Sequence, residues 1–77
     1  MLRQLVVGPY QSNCYILGQK ETKEGLVIDP GDEVFRIVKE ISGLGLKISY
    51  ILITHGHIDH VGGAKELKKI TGAPVLI

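Results

Sequence analysis

The 77-residue chain has no tryptophan, one phenylalanine, one methionine, one cysteine and three histidines. A single cysteine, Cys14, rules out an internal disulfide framework and fits a reducing compartment. Lysine and arginine number nine against eight acidic residues, a net charge of +1. So even a balance supplies no electrostatic argument for nucleic acid, a membrane surface or an acidic partner. No apolar run approaches the length of a membrane span, and the opening "MLRQLVVGPYQSN" is too short in apolar residues for a secretory signal core. Taken together, these absences point to a cytoplasmic protein.

Length bounds the rest. A chain of this size buries only about 60% of its unfolded surface, which leaves a small core. Hydrophobic residues make up 44% and charged residues 22%, an ordinary globular composition. The chain stops on the apolar run "APVLI", where a terminus is usually polar and loose. The expectation is therefore that residues 1–77 form the N-terminal part of a longer single domain, the other reading being a last strand that completes a small sheet.

Neither repeat nor linker interrupts the chain. "LRQLVV" and "SNCYILG" read as strands around a Gly-Pro turn, and the polar loop "QKETKE" leads to a third strand in "GLVIDPGD". "LVI" is continuously apolar, which predicts burial on both faces. Pro30 and Gly31 stop that strand. Asp32 is then the expected helix N-cap. Val34, Ile37, Val38, Ile41 and Leu44 recur on one helical face, and Gly43 and Gly45 end the helix. "ISYILIT" predicts a second buried strand. Val61, Ala64, Leu67 and Ile70 mark a second helical face, with Lys68 and Lys69 in its last turn, Gly72 as its cap and Pro74 beyond. Lys65, Lys68 and Lys69 read as a solvated face.

The predicted order is β-β-β-α-β-α-β, an α/β (α+β) chain whose last five elements are two strand-helix-strand units with right-handed crossovers. In open α/β sheets, sites lie beyond the carboxyl ends of the strands. Asp29 and His55 follow two such ends, and they face one crevice if the two strands are neighbours.

All three histidines fall in "THGHIDHVGG". In extended backbone, residues two apart project to one side, so His55 and His57 can share an ion. Gly56 between them leaves room. Asp59 and His60 can reach a second ion at the bend into the next helix, and the pair Gly62-Gly63 lets that helix pack close. Imidazole with carboxylate suits zinc, with iron, manganese or nickel as alternatives, and does not suit calcium or magnesium alone. Such a pair of ions favours hydrolysis of an ester, thioester, amide or phosphoester. Singly, a histidine at a strand end is a surface residue and Asp59 is an N-cap. Jointly, His-x-His-x-Asp-His arises by chance in such a chain on the order of once in ten thousand. Four donors are too few for two ions, which take about four to five each with some shared. Asp29, Asp32, the glutamates and Cys14 are the remaining candidates in the chain; either each ion binds here weakly or the missing ligands lie beyond residue 77.

"THGHIDHVGG" resembles the signature of the metallo-β-lactamase-fold hydrolases, and "VIDPGD" resembles their upstream aspartate motif. "QSNCYIL" with "GLVIDPGD" is more similar to the glyoxalase II branch, which includes hydroxyacylglutathione hydrolases, than to the lactamases proper. The resemblance implies the N-terminal half of a four-layer αββα sandwich of roughly twice this length or more. It implies that His55 and His57 ligate one metal and Asp59 and His60 the other, with Asp59 also orienting the hydroxide between them. It implies that Asp29 braces the histidine loop by hydrogen bonds; a plain turn residue before Pro-Gly is an equal reading. Two more histidines and a bridging aspartate belong to the family's second half.

The function expected is metal-dependent hydrolysis of a small thioester or related ester by a metal-held hydroxide, with two divalent transition-metal ions, zinc first and iron or manganese as alternatives. The other readings are a lactonase, a phosphodiesterase, an iron-dependent sulfur dioxygenase, or a non-catalytic metal-binding or interaction fragment. The 77 residues alone are expected to show little hydrolysis and a tendency to associate.

Overall fold

The computed structural model describes residues 1–9, 11–54 and 58–76, with only the backbone described at 12 and 58–62. The elements run β1 (Leu2–Val7), β2 (Ser12–Gly18), β3 (Glu24–Ile28), α1 (Val34–Leu44), β4 (Lys47–Leu52), α2 (Ile58–Thr71) and β5 (Val75–Leu76), the order expected from the sequence. One five-stranded sheet takes them in sequence order. β1 and β2 pair antiparallel, as do β2 and β3, and the pairings of β3 with β4 and β4 with β5 are parallel.

The register Ile28↔Leu52 brings the carboxyl ends of β3 and β4 level, and Asp29 N–H continues the ladder to Leu52 O at 2.8 Å. β1 points the same way as β3, so the Gly8–Gln11 turn lies at this edge too. Gly8 (φ 74) and Gln11 (φ 52) make that turn in left-handed backbone, closed by Gln11 N–H on Gly8 O at 3.1 Å.

Two consecutive crossovers in one direction place both helices on one side of the sheet. α1 and α2 accordingly touch each other. The core lies between them and one sheet face: Cys14, Ile16, Val27 and Ile51 from the strands, Val34, Ile37 and Ile41 from α1, Ala64 and Leu67 from α2.

That arrangement corrects the reading of "LVI" and "ISYILIT" as strands buried on both faces. Burial alternates instead. Val27 and Ile51 are buried, whereas Leu26, Ile28 and Leu52 are half-exposed and Tyr50 is exposed. Apolar sequence on both faces does not put a helix on both faces; crossover direction decides.

The helix faces largely follow their periodicity. In α1, Val38 and Leu44 pack at the core margin beside the three buried residues. Gly45 (φ 68) ends α1, with Leu46 N–H on Ile41 O at 3.2 Å, and Gly43 lies inside the helix rather than ending it. In α2, Ile70 departs from the expected face and is 47% exposed. Gly72 (φ 75) caps α2, its N–H on Lys68 O at 2.7 Å.

The start of α1 is also corrected. Glu33, not Asp32, occupies the N-cap position, in left-handed backbone (φ 52, ψ 49) and without a side-chain cap. Asp32 Oδ1 accepts the Glu33 N–H at 2.7 Å. Glu33 Oε2 in turn accepts the N–H of Gly8 at 2.7 Å. Arg36 adds a donor from its guanidinium to Val6 O at 2.6 Å. The acidic pair therefore ties the β1–β2 turn to α1, a long-range partnership that capping rules do not see.

Candidate metal centre at the carboxyl edge

Three described regions meet where β3 and β4 end: the turn after β1, the loop from Asp29 to Glu33, and Thr54 with the N-terminal part of α2. Asp29 is the group best defined by its surroundings. It is buried, at 7% exposure, and has left-handed backbone (φ 55). Its Oδ1 accepts the Thr54 N–H at 2.8 Å, and its Oδ2 accepts a short hydrogen bond from the Thr54 hydroxyl. A charged acceptor makes such bonds about twice as strong as neutral pairs. Asp29 thus both turns the chain before Pro30-Gly31 and grips the residue immediately before His55.

Thr54 reads from sequence as no more than a strand end. Its pairing to Asp29 depends on the register of two strands 25 positions apart, which neither spacing nor composition encodes. The parallel-strand pattern was the signal that could have found it.

His55 and His57 lie outside the described residues. Asp59 and His60 belong to the first turn of α2, and their side chains lie outside the described set. Among the described residues, no group of three or more histidine, cysteine or acidic side chains gathers as a metal site. The donor set still fits a transition-metal pair in kind, since imidazoles and a carboxylate are all carried between the carboxyl end of β4 and the N-terminal turn of α2.

Some of the spare donors are otherwise engaged or unsuited. Cys14 is fully buried, and burial followed by the charge of Asp29 pushes its thiol up from 9.0 to about 12. A metal ligand must be a thiolate, so Cys14 is a poor supplement at neutral pH. Glu33 holds Gly8 and lies 3.8 Å from Arg36, and Glu40 lies 3.7 Å from Arg3.

The sequence profile of the Metallo-beta-lactamase superfamily matches residues 7–77. The chain belongs to this superfamily. Hydroxyacylglutathione hydrolase GloC of Haemophilus influenzae is 41% identical over 69 residues, covering 90% of this chain and 32% of GloC. A probable polyketide biosynthesis zinc-dependent hydrolase, BaeB of Bacillus velezensis, is 34% identical over 61 residues, 79% of this chain and 27% of BaeB. Among solved structures, the B3 metallo-beta-lactamase BLEG-1 superposes with a TM-score of 0.89 at 32% identity, over 97% of this chain and 35% of its own. ETHE1 from Myxococcus xanthus gives 0.86 at 29% identity, over 97% and 34%. TTHA1623, in a di-iron-bound form, gives 0.81 at 36% identity, over 95% and 36%. The chain spans about a third of the length of the curated relatives it matches. The metallo-beta-lactamase fold and the likeness to hydroxyacylglutathione hydrolases expected from the motifs thus hold. No helix among the described residues is long and apolar enough to cross a membrane.

Proposed function

We propose that residues 1–77 are the N-terminal part of a single metallo-hydrolase domain, and that the whole protein hydrolyses a small thioester. The observation that carries this is the Asp29–Thr54 pairing, which anchors the start of a His-x-His-x-Asp-His segment at the level carboxyl ends of two parallel strands. The likeness to a hydroxyacylglutathione hydrolase supports a thioester. His55 and His57 would hold one transition-metal ion, and Asp59 and His60 the other. Zinc is the first choice, with iron and manganese as alternatives, in keeping with a zinc-dependent relative and a di-iron-bound neighbour.

When bound, such a pair of ions acidifies water to near neutral pH and polarises a carbonyl oxygen. Asp59 orients the attacking water. Asp29 fixes Thr54 and so the direction in which the chain enters the ligand segment; carboxylates in this supporting role are worth about 10–100-fold in metal affinity. Four donors in this stretch leave further ligands to be supplied from beyond Ile77.

Other chemistries of the superfamily (lactonase, phosphodiesterase or iron-dependent sulfur dioxygenase) form the second reading, kept open by the likeness to ETHE1. The natural protein carrying this chain should contain about one to two transition-metal ions per chain. His57→Ala should lower metal content and thioester turnover together. Unchanged turnover removes His57 from the site, full activity without metal ends the hydrolase proposal, and faster turnover of a lactone or phosphodiester moves it to the second reading.

A further inference from the structure

We infer that the β3–α1 loop clamps the ligand segment at both ends through two consecutive residues, and that Gly63 is the positioning residue that sets where Asp59 and His60 stand. The functional part of this inference rests on the metal reading above.

The first jaw is the Asp29 carboxylate on Thr54. The second is the next residue along. A Cβ placed at Gly63 would lie 1.9 Å from Pro30 O and 3.0 Å from the carbonyl carbons of Pro30 and Gly31. Carbon and carbonyl oxygen normally approach no closer than about 3.3 Å. The backbone of α2 therefore rests directly on the Pro30 carbonyl, and any side chain at 63 forces the helix outward by more than about 1 Å.

The Pro30 carbonyl is a firm seat. Pro30 is fully buried, its ring fixes φ, and Gly31 N–H closes a three-residue turn onto Asp29 O at 2.9 Å. Ala64 and Leu67, buried in the core just beyond the contact, resist a shift of the whole helix, so the displacement falls on its N-terminal turns. Residues 54 and 63, on either side of the ligand segment, are thus held by residues 29 and 30.

Positions 59 and 60 are i−4 and i−3 of Gly63, the helical positions that share its face. Within one turn of a helix a displacement at 63 is carried to both almost undiminished. A ligand pair tolerates only about 0.5 Å of misplacement. Gly63 therefore acts on the ion held by Asp59 and His60 without touching it.

The experiment compares Gly63→Ala with Gly43→Ala in the natural protein carrying this chain. Gly43 is also helical, and a Cβ there meets nothing within 4 Å. Zinc affinity is read by chelator competition, and amide exchange is read in the metal-free protein. Gly63→Ala should bind zinc about 10–100-fold more weakly. It should also exchange the amides of residues 64–68 roughly tenfold faster while the β3 and β4 amides stay protected. Gly43→Ala should change neither. Wild-type affinity and exchange in Gly63→Ala overturn the inference, and so does complete loss of the far-ultraviolet circular dichroism signal, because the displacement is argued to be local. A wild-type protein that binds no metal removes the metal reading alone; the exchange comparison then decides the clamp by itself.

Discussion

The two faces of the sheet are built from neighbouring residues of the same strands and meet different fates. On one, Ile16, Val27 and Ile51 form a register row beneath the helices, each fully buried. On the other, the next row, Leu17, Leu26 and Tyr50, is open, with Leu17 37% and Tyr50 48% exposed. Val6 and Leu76 extend the open surface at 46% and 44%. The two rows themselves are similarly apolar. The difference comes from topology, since the crossovers β3-α1-β4 and β4-α2-β5 return on one side. Contiguous apolar surface of this kind marks a contact surface.

The largest effect should come from the covered face. Ile51→Ala removes a fully buried side chain at its centre and should cost about 2–5 kcal/mol in the natural protein carrying this chain. Urea unfolding measures it, and a loss under about 1 kcal/mol would mean that the helices do not seal this face.

Next in size is an alkaline limb. The Cys14 thiol lies on the covered face and is pushed up to about 12 from 9.0 by burial and then by Asp29. The folded thiol keeps its proton where the unfolded one ionises. Stability from this group is therefore complete below pH 9 and is lost as pH rises towards 12. The loss should reach about 1.4 kcal/mol by about pH 10, and Cys14→Ala should flatten that part of the profile in urea unfolding followed against pH.

The smallest change in stability belongs to the open face. Leu17→Ser should shift unfolding by no more than about 0.5 kcal/mol, yet reduce self-association of the 77-residue chain in sedimentation velocity. A large stability loss there would show that something already covers the open face.

Legibility in the sequence followed the range of the interaction. Turn residues and apolar periodicity are local, so β1, β2 and the order of all the elements could be read directly. Gly45 behaves as a local cap signal predicts. Glu33 does not, because its carboxylate is drawn to Gly8, 25 positions earlier. The one-sided burial of β4 depends on the whole chain's winding. At the site, residue types and spacing carry the expectation of metal chemistry at His55, His57, Asp59 and His60, whose side chains lie outside the described residues. The Asp29–Thr54 pairing and the seat of Gly63 on Pro30 needed the register of β3 against β4, which no single segment contains.

One last consequence belongs to the backbone of Asp29. Its φ of 55° is a conformation natural to glycine, open at some cost to aspartate and asparagine, and costly for most other L-residues by about 1–2 kcal/mol. Glycine would relax the turn, and asparagine would tolerate it. The carboxylate is needed only because of what it holds across the sheet. Replacing it trades backbone ease against the two hydrogen bonds that hold Thr54, so a glycine there would leave a freer turn and a slack entry to the histidine segment.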